Sequence, residues 1–196
     1  FIDKLYNYSV EFIKGLKNRI PIIMFHNVCD GGYFSDVFIL PSVHTNENII
    51  NDRRWNNKKV KFLQGSKYVV LNNEIINLKN STNKSSDSFN VVITTGGSDP
   101  SGVTIKIIDW LNYLNGTNIK IKVLIGKAFK NAHLINEKLP YLSDFIKVVP
   151  FDVQELINAD LTISTFGITT YELLYLEKPN ISIGHIEHNA KCSALM

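Results

Sequence analysis

Residues 159–183 read ADLTISTFGITTYELLYLEKPNISI, and this stretch decides the fold. The apolar run from Leu161 to Ile163 predicts a short strand, and the small polar residues from Ser164 to Gly167 predict a turn. A helix follows and ends at Lys178-Pro179, and Asn180 to Ile183 predicts another strand. The stretch therefore predicts a strand–turn–helix–strand unit.

Thr169 and Thr170 stand at the start of the predicted helix, and Glu172 falls in its first turn. Backbone N–H groups at a helix N-terminus can hold an anion. The same residues also fit a plain helix start, in which Thr169 or Thr170 is a cap and Glu172 complements the helix dipole. A second loop of the same kind, upstream, favours the anion site.

The composition is that of an ordinary globular protein. The chain has 196 residues, of which 44% are hydrophobic and 20% charged, with a net charge of +3. This small and scattered charge gives no reason to expect nucleic acid as a partner. No apolar run approaches the roughly 20 residues of a membrane span. Cys29 and Cys192 match no metal spacing, so we expect reduced thiols and a cytoplasmic protein.

The first part of the chain predicts a helix, several short strands and a polar connection. Apolar spacing predicts an amphipathic helix over 2–18. Strands are expected at 21–25, 36–40 and 66–71, and a loop at 44–60. We expect 1–76 to be a partial N-terminal Rossmann-like domain and the polar residues 77–88 to be a linker. Since the chain opens in what looks like mid-helix, we expect a fragment of a longer protein.

Residues 89–196 alternate regularly between predicted strands and helices. Strands are expected at 91–94, 119–125, 145–149, 161–163 and 180–183, and helices at 103–114, 131–139, 153–158 and after 167. The Ile/Lys alternation of 119–125 suits an edge or half-buried strand. Strands alternating with helices predict a parallel sheet, which binds ligands at the carboxyl ends of its strands. The predicted class is therefore α/β.

The upstream loop leaves the first strand of this domain and enters a helix. Gly96 and Gly97 allow close approach of a ligand to the backbone. Ser98 and Asp99 can hydrogen-bond to nearby N–H groups, and Thr104 lies near the helix start. The loop matches neither the Walker pattern nor G-x-G-x-x-G, and a tight turn with a helix cap would also explain it.

Two glycine-containing loops at the carboxyl ends of parallel strands predict a shared anion pocket. Glu172 is then expected to accept the ribose hydroxyls of a nucleotide diphosphate. The predicted nucleotide- and phosphate-binding residues are Gly96, Gly97, Ser98, Asp99, Thr104, Phe166, Gly167, Ile168, Thr169, Thr170 and Glu172.

The same loops resemble a known family. Residues 91–100 (VVITTGGSDP) look like the opening of the C-terminal domain in the pseudaminic-acid-pathway UDP-sugar hydrolases and the related spore-coat polysaccharide glycosyltransferases. Residues 159–172 and 176–179 resemble their second motif, and residues 65–74 are similar to the segment that joins their domains. The resemblance is weak from about residue 20 and firm from 89 to 190.

The resemblance implies a GT-B fold, in which two Rossmann-like domains face a cleft and the C-terminal domain holds the nucleotide. On this basis 89–196 would be the UDP-binding domain. The family's catalytic base, a His in a Gly-rich loop near its N-terminus, has no counterpart in this chain, so we assign no catalytic residue. The histidines present do not match that motif: His26, His44, His133, His185 and His188.

Two positions depart from the family pattern. Phe166 stands where the family often has Gly, which narrows the phosphate turn. Asn189-Ala190 stands where it often has Asn-Gln, and that Gln contacts the sugar in the transferases. Asn189 therefore stays a candidate sugar-binding residue, whereas Ala190 has no polar side chain to offer.

Three functions are compatible with these features. The first is a UDP-sugar hydrolase of surface polysaccharide or nonulosonic acid biosynthesis. The second is a glycosyltransferase on the same scaffold, which would add peripheral contact with a membrane. The third is a non-catalytic domain that binds a nucleotide sugar. None of them requires a metal or a cofactor, because backbone amides and helix N-termini can take the phosphate charge. The sugar and the oligomeric state stay open.

Overall fold

Two parallel sheets form the framework of the chain in the residues that the structure describes, which are 1–2, 6–41, 47–57, 59–79, 88–113 and 118–196. The structure is a computed structural model. It divides the chain into a first unit, Phe1–Val70 with Leu195–Met196, and a second unit, Leu71–Ala194. The predicted α/β class is confirmed.

The first unit has a sheet of three parallel strands in the order β1-β2-β3. Its elements are α1 (Val10–Lys17), β1 (Ile23–Phe25), a 3-10 turn (Asp30–Phe34), β2 (Val37–Leu40), α2 (Glu47–Ile50), α3 (Arg54–Asn57), β3 (Lys61–Gln64) and a second 3-10 turn (Ser66–Tyr68). Phe38, Met24 and Trp55 lie in its core.

Three predictions for this unit were wrong in detail. The helix expected over 2–18 begins only at Val10, where the Ser9 side chain accepts the N–H of Phe12 as an N-cap; residues 3–5 lie outside the described part. Short helices α2 and α3 occupy part of the loop expected at 44–60. A 3-10 turn replaces the strand expected at 66–71.

The second unit has five parallel strands in the order β6-β5-β4-β7-β8. Its strands are β4 (Phe89–Thr94), β5 (Ile119–Ile125), β6 (Ile146–Pro150), β7 (Leu161–Thr165) and β8 (Asn180–Ile183). Its helices are α4 (Asn73–Leu78), α5 (Val103–Leu111), α6 (Ala132–Lys138), α7 (Val153–Asn158), α8 (Ile168–Tyr175) and α9 (Glu187–Ser193), with a 3-10 turn at Leu139–Tyr141.

Helices cover both faces of this sheet, as a buried parallel sheet requires. Val92 packs with the apolar side chains of α4, α7 and α8 on one face. Ile93 packs with those of α5 and α6 on the other. The strand β5 lies between β4 and β6 and is therefore not an edge strand; its mixture of buried and exposed residues fits the other expectation, a half-buried strand.

The predicted linker 77–88 overlaps the end of α4, and its residues 80–87 lie outside the described part of the chain. Leu114, the predicted end of α5, also lies outside the described residues. Ile75 of α4 is fully buried in the core of the second unit. Among the described residues, no helix is long and apolar enough to cross a membrane.

Candidate functional site

The strand order of the second unit reverses between β4 and β7. From β4 the chain proceeds outward through β5 to β6, and then returns to the other side of β4 as β7 and β8. Thr94 and Ser164 are partners in the register of the two strands, so β4 and β7 end nearly level. In open α/β sheets, ligands bind outside the carboxyl ends of the strands at such a reversal. The two loops singled out in the sequence leave from these two strand ends.

The loop after β4 presents bare backbone. Gly96 has a φ of +84°, which favours glycine, and both Gly96 and Gly97 are exposed. A Cβ built on either glycine would meet no atom within 4 Å. Ser98 follows and is half-buried. Open space therefore lies beside the glycines at the reversal point.

Asp99 and Thr104 are built into the interior of the same loop. The two carboxylate oxygens of Asp99 accept the N–H groups of Val103 and Thr104, each at 2.9 Å. The hydroxyls of Thr104 and Thr95 lie 2.6 Å apart, and both Asp99 and Thr104 are nearly inaccessible. The protein's own carboxylate thus occupies the N-terminus of α5.

The N-terminus of α8 is open by comparison. Its N-cap residue is Gly167, which has no side chain to cap the helix, and the Gly167 N–H donates to the hydroxyl of Thr170 at 3.3 Å. Within the described residues, no acceptor is found for the N–H groups of Ile168 and Thr169. Unpaired N–H groups at a helix start attract anions. The Thr170 hydroxyl therefore pairs with the N–H of the N-cap residue and not with the N–H groups of Ile168 and Thr169, for which no acceptor is found among the described residues.

Phe166 and Asn189 support the turn that leads into α8. Phe166 is 9% exposed and makes an edge-to-face contact with Tyr171. Asn189, from α9, donates its side-chain N–H to the Phe166 carbonyl at 3.0 Å. The side chain of Asn189 is thereby held next to the open turn.

Glu172 is a buried carboxylate. It is 7% exposed, and its Oε1 accepts the backbone N–H of Asn72 at 3.3 Å. Burial raises the pKa of Glu172 above its usual value, and the Asn72 hydrogen bond opposes this rise. Glu172 is the fifth residue of α8 and so belongs to its second turn, not the first turn as predicted.

A cleft that the sequence analysis missed lies next to Asn72. Its volume is about 570 Å³, and besides Asn72 it is lined by Glu74, by Val149–Val153 at the end of β6 and by Glu155. The sequence could have indicated this cleft, because the predicted strand β6 must end at the same edge of a parallel sheet as the two glycine loops. Its connection to α7 contains no glycine and therefore drew no attention.

Two histidines of the second unit, His185 and His188, lie beyond β8. His188 lies on α9 with its ring Nε2 3.5 Å from the sulfur of Cys192. His185 follows β8, and its Nδ1 is buried without a partner in the described part of the chain. His44 lies outside the described residues.

Comparisons with known proteins give one distant relative to report. The chain is 30% identical over 142 residues to the uncharacterized protein MJ1062 of Methanocaldococcus jannaschii. The match covers 68% of this chain and 29% of that protein, so the chain spans less than a third of the relative's length. No family model matches the chain.

Proposed function

We propose that the second unit is the UDP-binding domain of a GT-B enzyme that acts on a UDP-sugar, most simply as a hydrolase that releases UDP. One observation carries the proposal: the reversal of strand order between β4 and β7 brings a bare glycine loop and an uncapped helix start to one edge of the sheet. The resemblance of residues 91–100 and 159–179 to the UDP-sugar family supplies the identity of the nucleotide.

The diphosphate would bind between Gly96-Gly97 and the start of α8. The free N–H groups of Ile168 and Thr169 are donors aligned with the positive end of the α8 dipole. Asp99 and Thr104 would act indirectly, because their polar groups already hold the loop in shape.

Glu172 would accept the ribose hydroxyls. It lies four residues beyond Ile168, a rise of about 6 Å along the helix, which is of the order of the distance from a diphosphate to its ribose. A buried carboxylate with a single long hydrogen bond retains acceptor capacity for two hydroxyl donors. The base would then enter the cleft beside Asn72, which contacts Glu172 and also lines that cleft.

The reaction would be hydrolysis, UDP-sugar plus water giving UDP plus free sugar. Water would attack either the anomeric carbon or the β-phosphorus. The bond that breaks would join the attacked atom to the oxygen between the sugar and the β-phosphate. The donors at α8 would stabilise the charge of the departing or retained diphosphate. The first unit would be part of the N-terminal GT-B domain, and Asn189 would contact the sugar.

Isothermal titration calorimetry with UDP tests the nucleotide site, with CMP and NAD as controls. We expect UDP to bind and the two controls to give no saturable heat. Glu172→Ala should weaken UDP binding by roughly 1–3 kcal/mol, the range for losing a charged hydrogen-bond acceptor. Glu137→Ala removes an exposed carboxylate on α6 and should leave the affinity unchanged. Unchanged affinity in Glu172→Ala would reject the ribose assignment.

Product analysis with a longer form of the protein tests the reaction. Free sugar together with UDP would support the hydrolase. Transfer of the sugar to an added glycan or lipid acceptor would reject the hydrolase in favour of the glycosyltransferase. Binding of UDP without any turnover would favour the non-catalytic domain.

A further inference from the structure

A second cleft of about 610 Å³ lies at the opposite edge of the five-stranded sheet, where β4, β5 and β6 begin. The proposed nucleotide site lies at the carboxyl ends of the strands, so the two sites are separate. Three lysines line this cleft, Lys120, Lys122 and Lys147, together with Asp144, Phe145 and Asn90. Its volume is within the range of about 300–1,000 Å³ that is usual for small-molecule sites.

The sheet register gathers the three lysines on one face. Lys120 and Lys122 are alternate residues of β5 and so point to the same side. Lys122 and Lys147 are direct partners on neighbouring strands. Like charges placed opposite each other on adjacent strands destabilise a sheet.

Only part of this positive charge is neutralised within the described residues. The Nζ of Lys122 lies 2.6 Å from a carboxylate oxygen of Glu155 on α7. Lys120 and Lys147 are exposed, and no ion pair is found for either in the described part of the chain. Asp144 is the one acidic side chain among the described lining residues. Two ammonium groups therefore face the cleft without a fixed counter-ion.

The remaining lining suits a ligand with an apolar part. Phe145 is half-buried and supplies an apolar side chain to the lining of the cleft. The side chain of Asn90 donates to the carbonyl of Ser88, and its backbone N–H donates to the carboxylate of Asp160 at 2.9 Å, so this end of the cleft is held in shape. The cleft thus combines a fixed rim, an apolar wall and two uncompensated cations.

We infer that this cleft is a second binding site, for a soluble phosphorylated small molecule whose phosphate is held by Lys120 and Lys147. Lysine commonly binds phosphate as a point charge. The ligand's uncharged part would lie against Phe145. The inference does not depend on the nucleotide site, because it uses different residues at the other edge of the sheet.

The test is a titration of the ¹⁵N-labelled chain with inorganic pyrophosphate, followed by amide chemical shifts. Saturable shifts are expected at Lys120, Phe145 and Lys147. The double variant Lys120→Gln, Lys147→Gln should weaken this binding by on the order of tenfold or more. Lys106→Gln removes an exposed charge on α5, outside the cleft, and should leave the affinity unchanged. Far-UV circular dichroism checks that each variant is folded.

Several outcomes would overturn the inference. One is the absence of saturable shifts at the three residues, and another is shifts confined to Gly97, Ile168 and Thr169, which would report only the other edge. An equal loss of affinity in Lys106→Gln would show that pyrophosphate responds to the net charge of the protein and not to this cleft. Binding to vesicles of phosphatidic acid, without any effect of pyrophosphate, would assign the lysines to a lipid headgroup instead of a soluble ligand.

Discussion

The backbone N–H of Asn72 donates to Oε1 of Glu172 at 3.3 Å, joining two residues that are 100 positions apart in the sequence. The carboxylate is 7% exposed, and no other partner is found for it in the described part of the second unit. Burying a carboxylate with one long hydrogen bond costs stability. A buried acceptor of this kind is expected where a ligand completes its hydrogen bonds, as the proposed ribose would.

We expect Glu172→Gln to raise the midpoint of thermal unfolding at pH 7. Burial raises the pKa of Glu172 above its usual value of 4.5. The folded state therefore binds this proton more tightly than the unfolded state. The resulting stabilisation is complete below the usual pKa of Glu172, and it is lost as the pH rises through the raised pKa of the folded state. Gln stays neutral and avoids that loss. Differential scanning calorimetry from pH 4 to pH 8 measures the effect.

The difference between Glu172→Gln and the unsubstituted chain should shrink towards zero near pH 4, where both side chains are neutral. Glu137→Gln, at an exposed position, should show no such trend. If Glu172→Gln were less stable at pH 7, the ionised carboxylate would be a stabilising element, and its burial would not indicate a ligand.

We expect Asp99→Ala to destabilise α5. Loss of its carboxylate leaves the N–H groups of Val103 and Thr104 without their acceptors, at a cost of about 1–3 kcal/mol. Hydrogen exchange of the α5 amides measures the local effect, and urea unfolding measures the global one. Ser98→Ala, at the neighbouring half-buried residue, should leave both unchanged. If the α5 amides of Asp99→Ala exchange as slowly as those of the unsubstituted chain, the Asp99 carboxylate contributes little to the stability of α5.

Most strands and helices of the second unit could be predicted from the sequence because each is a short apolar run between polar residues. The bounds of β5, α7 and β8 agree with those predicted. The class of fold follows from the alternation of strands and helices, and both candidate loops follow from their glycines. These are local signals, and they need no knowledge of which strands are neighbours.

The parts that could not be predicted depend on long-range contacts or on short elements. The contact of Asn72 with Glu172 and the cleft beside it depend on where α4 packs, which the resemblance of residues 65–74 to an interdomain segment does not indicate. Helices α2 and α3 have four residues each, too few to show a helical period. The role of Asp99 was also ambiguous, because the same residue type can cap a helix or contact a ligand.

Gly126→Ala should weaken UDP binding although Gly126 is not among the predicted site residues. A Cβ at this position, just after β5, would lie 2.9 Å from the Cα and the carbonyl oxygen of Gly97. Backbone atoms cannot move aside cheaply, so the Gly96-Gly97 turn must shift. A shift of about 1 Å in a positioned site can cost up to about 100-fold. Calorimetric titration with UDP gives the loss.

Gly15→Ala is the matched control for that prediction. Its Cβ would meet no atom within 4 Å on α1, so it should leave UDP affinity unchanged and stabilise the helix by about 1 kcal/mol. Full UDP affinity in Gly126→Ala would mean that the glycine loop does not contact the nucleotide.

Two buried threonines give a matched pair for the last prediction. Thr162 in β7 is fully buried, and its hydroxyl has no partner in the described residues. Thr170 in α8 is 2% exposed, but its hydroxyl accepts the N–H of Gly167 at 3.3 Å. Valine has nearly the same shape as threonine and lacks the hydroxyl. The two Thr→Val substitutions therefore differ in whether a hydrogen bond is lost.

We expect Thr162→Val to stabilise the second unit by about 1 kcal/mol, because it removes a buried polar group that is unpaired in the described residues. Thr170→Val should destabilise it by about 0.5–1.5 kcal/mol, the usual net contribution of one hydrogen bond, and should loosen the turn at Gly167. Urea unfolding measures both changes. If Thr162→Val is as destabilising as Thr170→Val, the Thr162 hydroxyl must bind an ordered water inside the sheet.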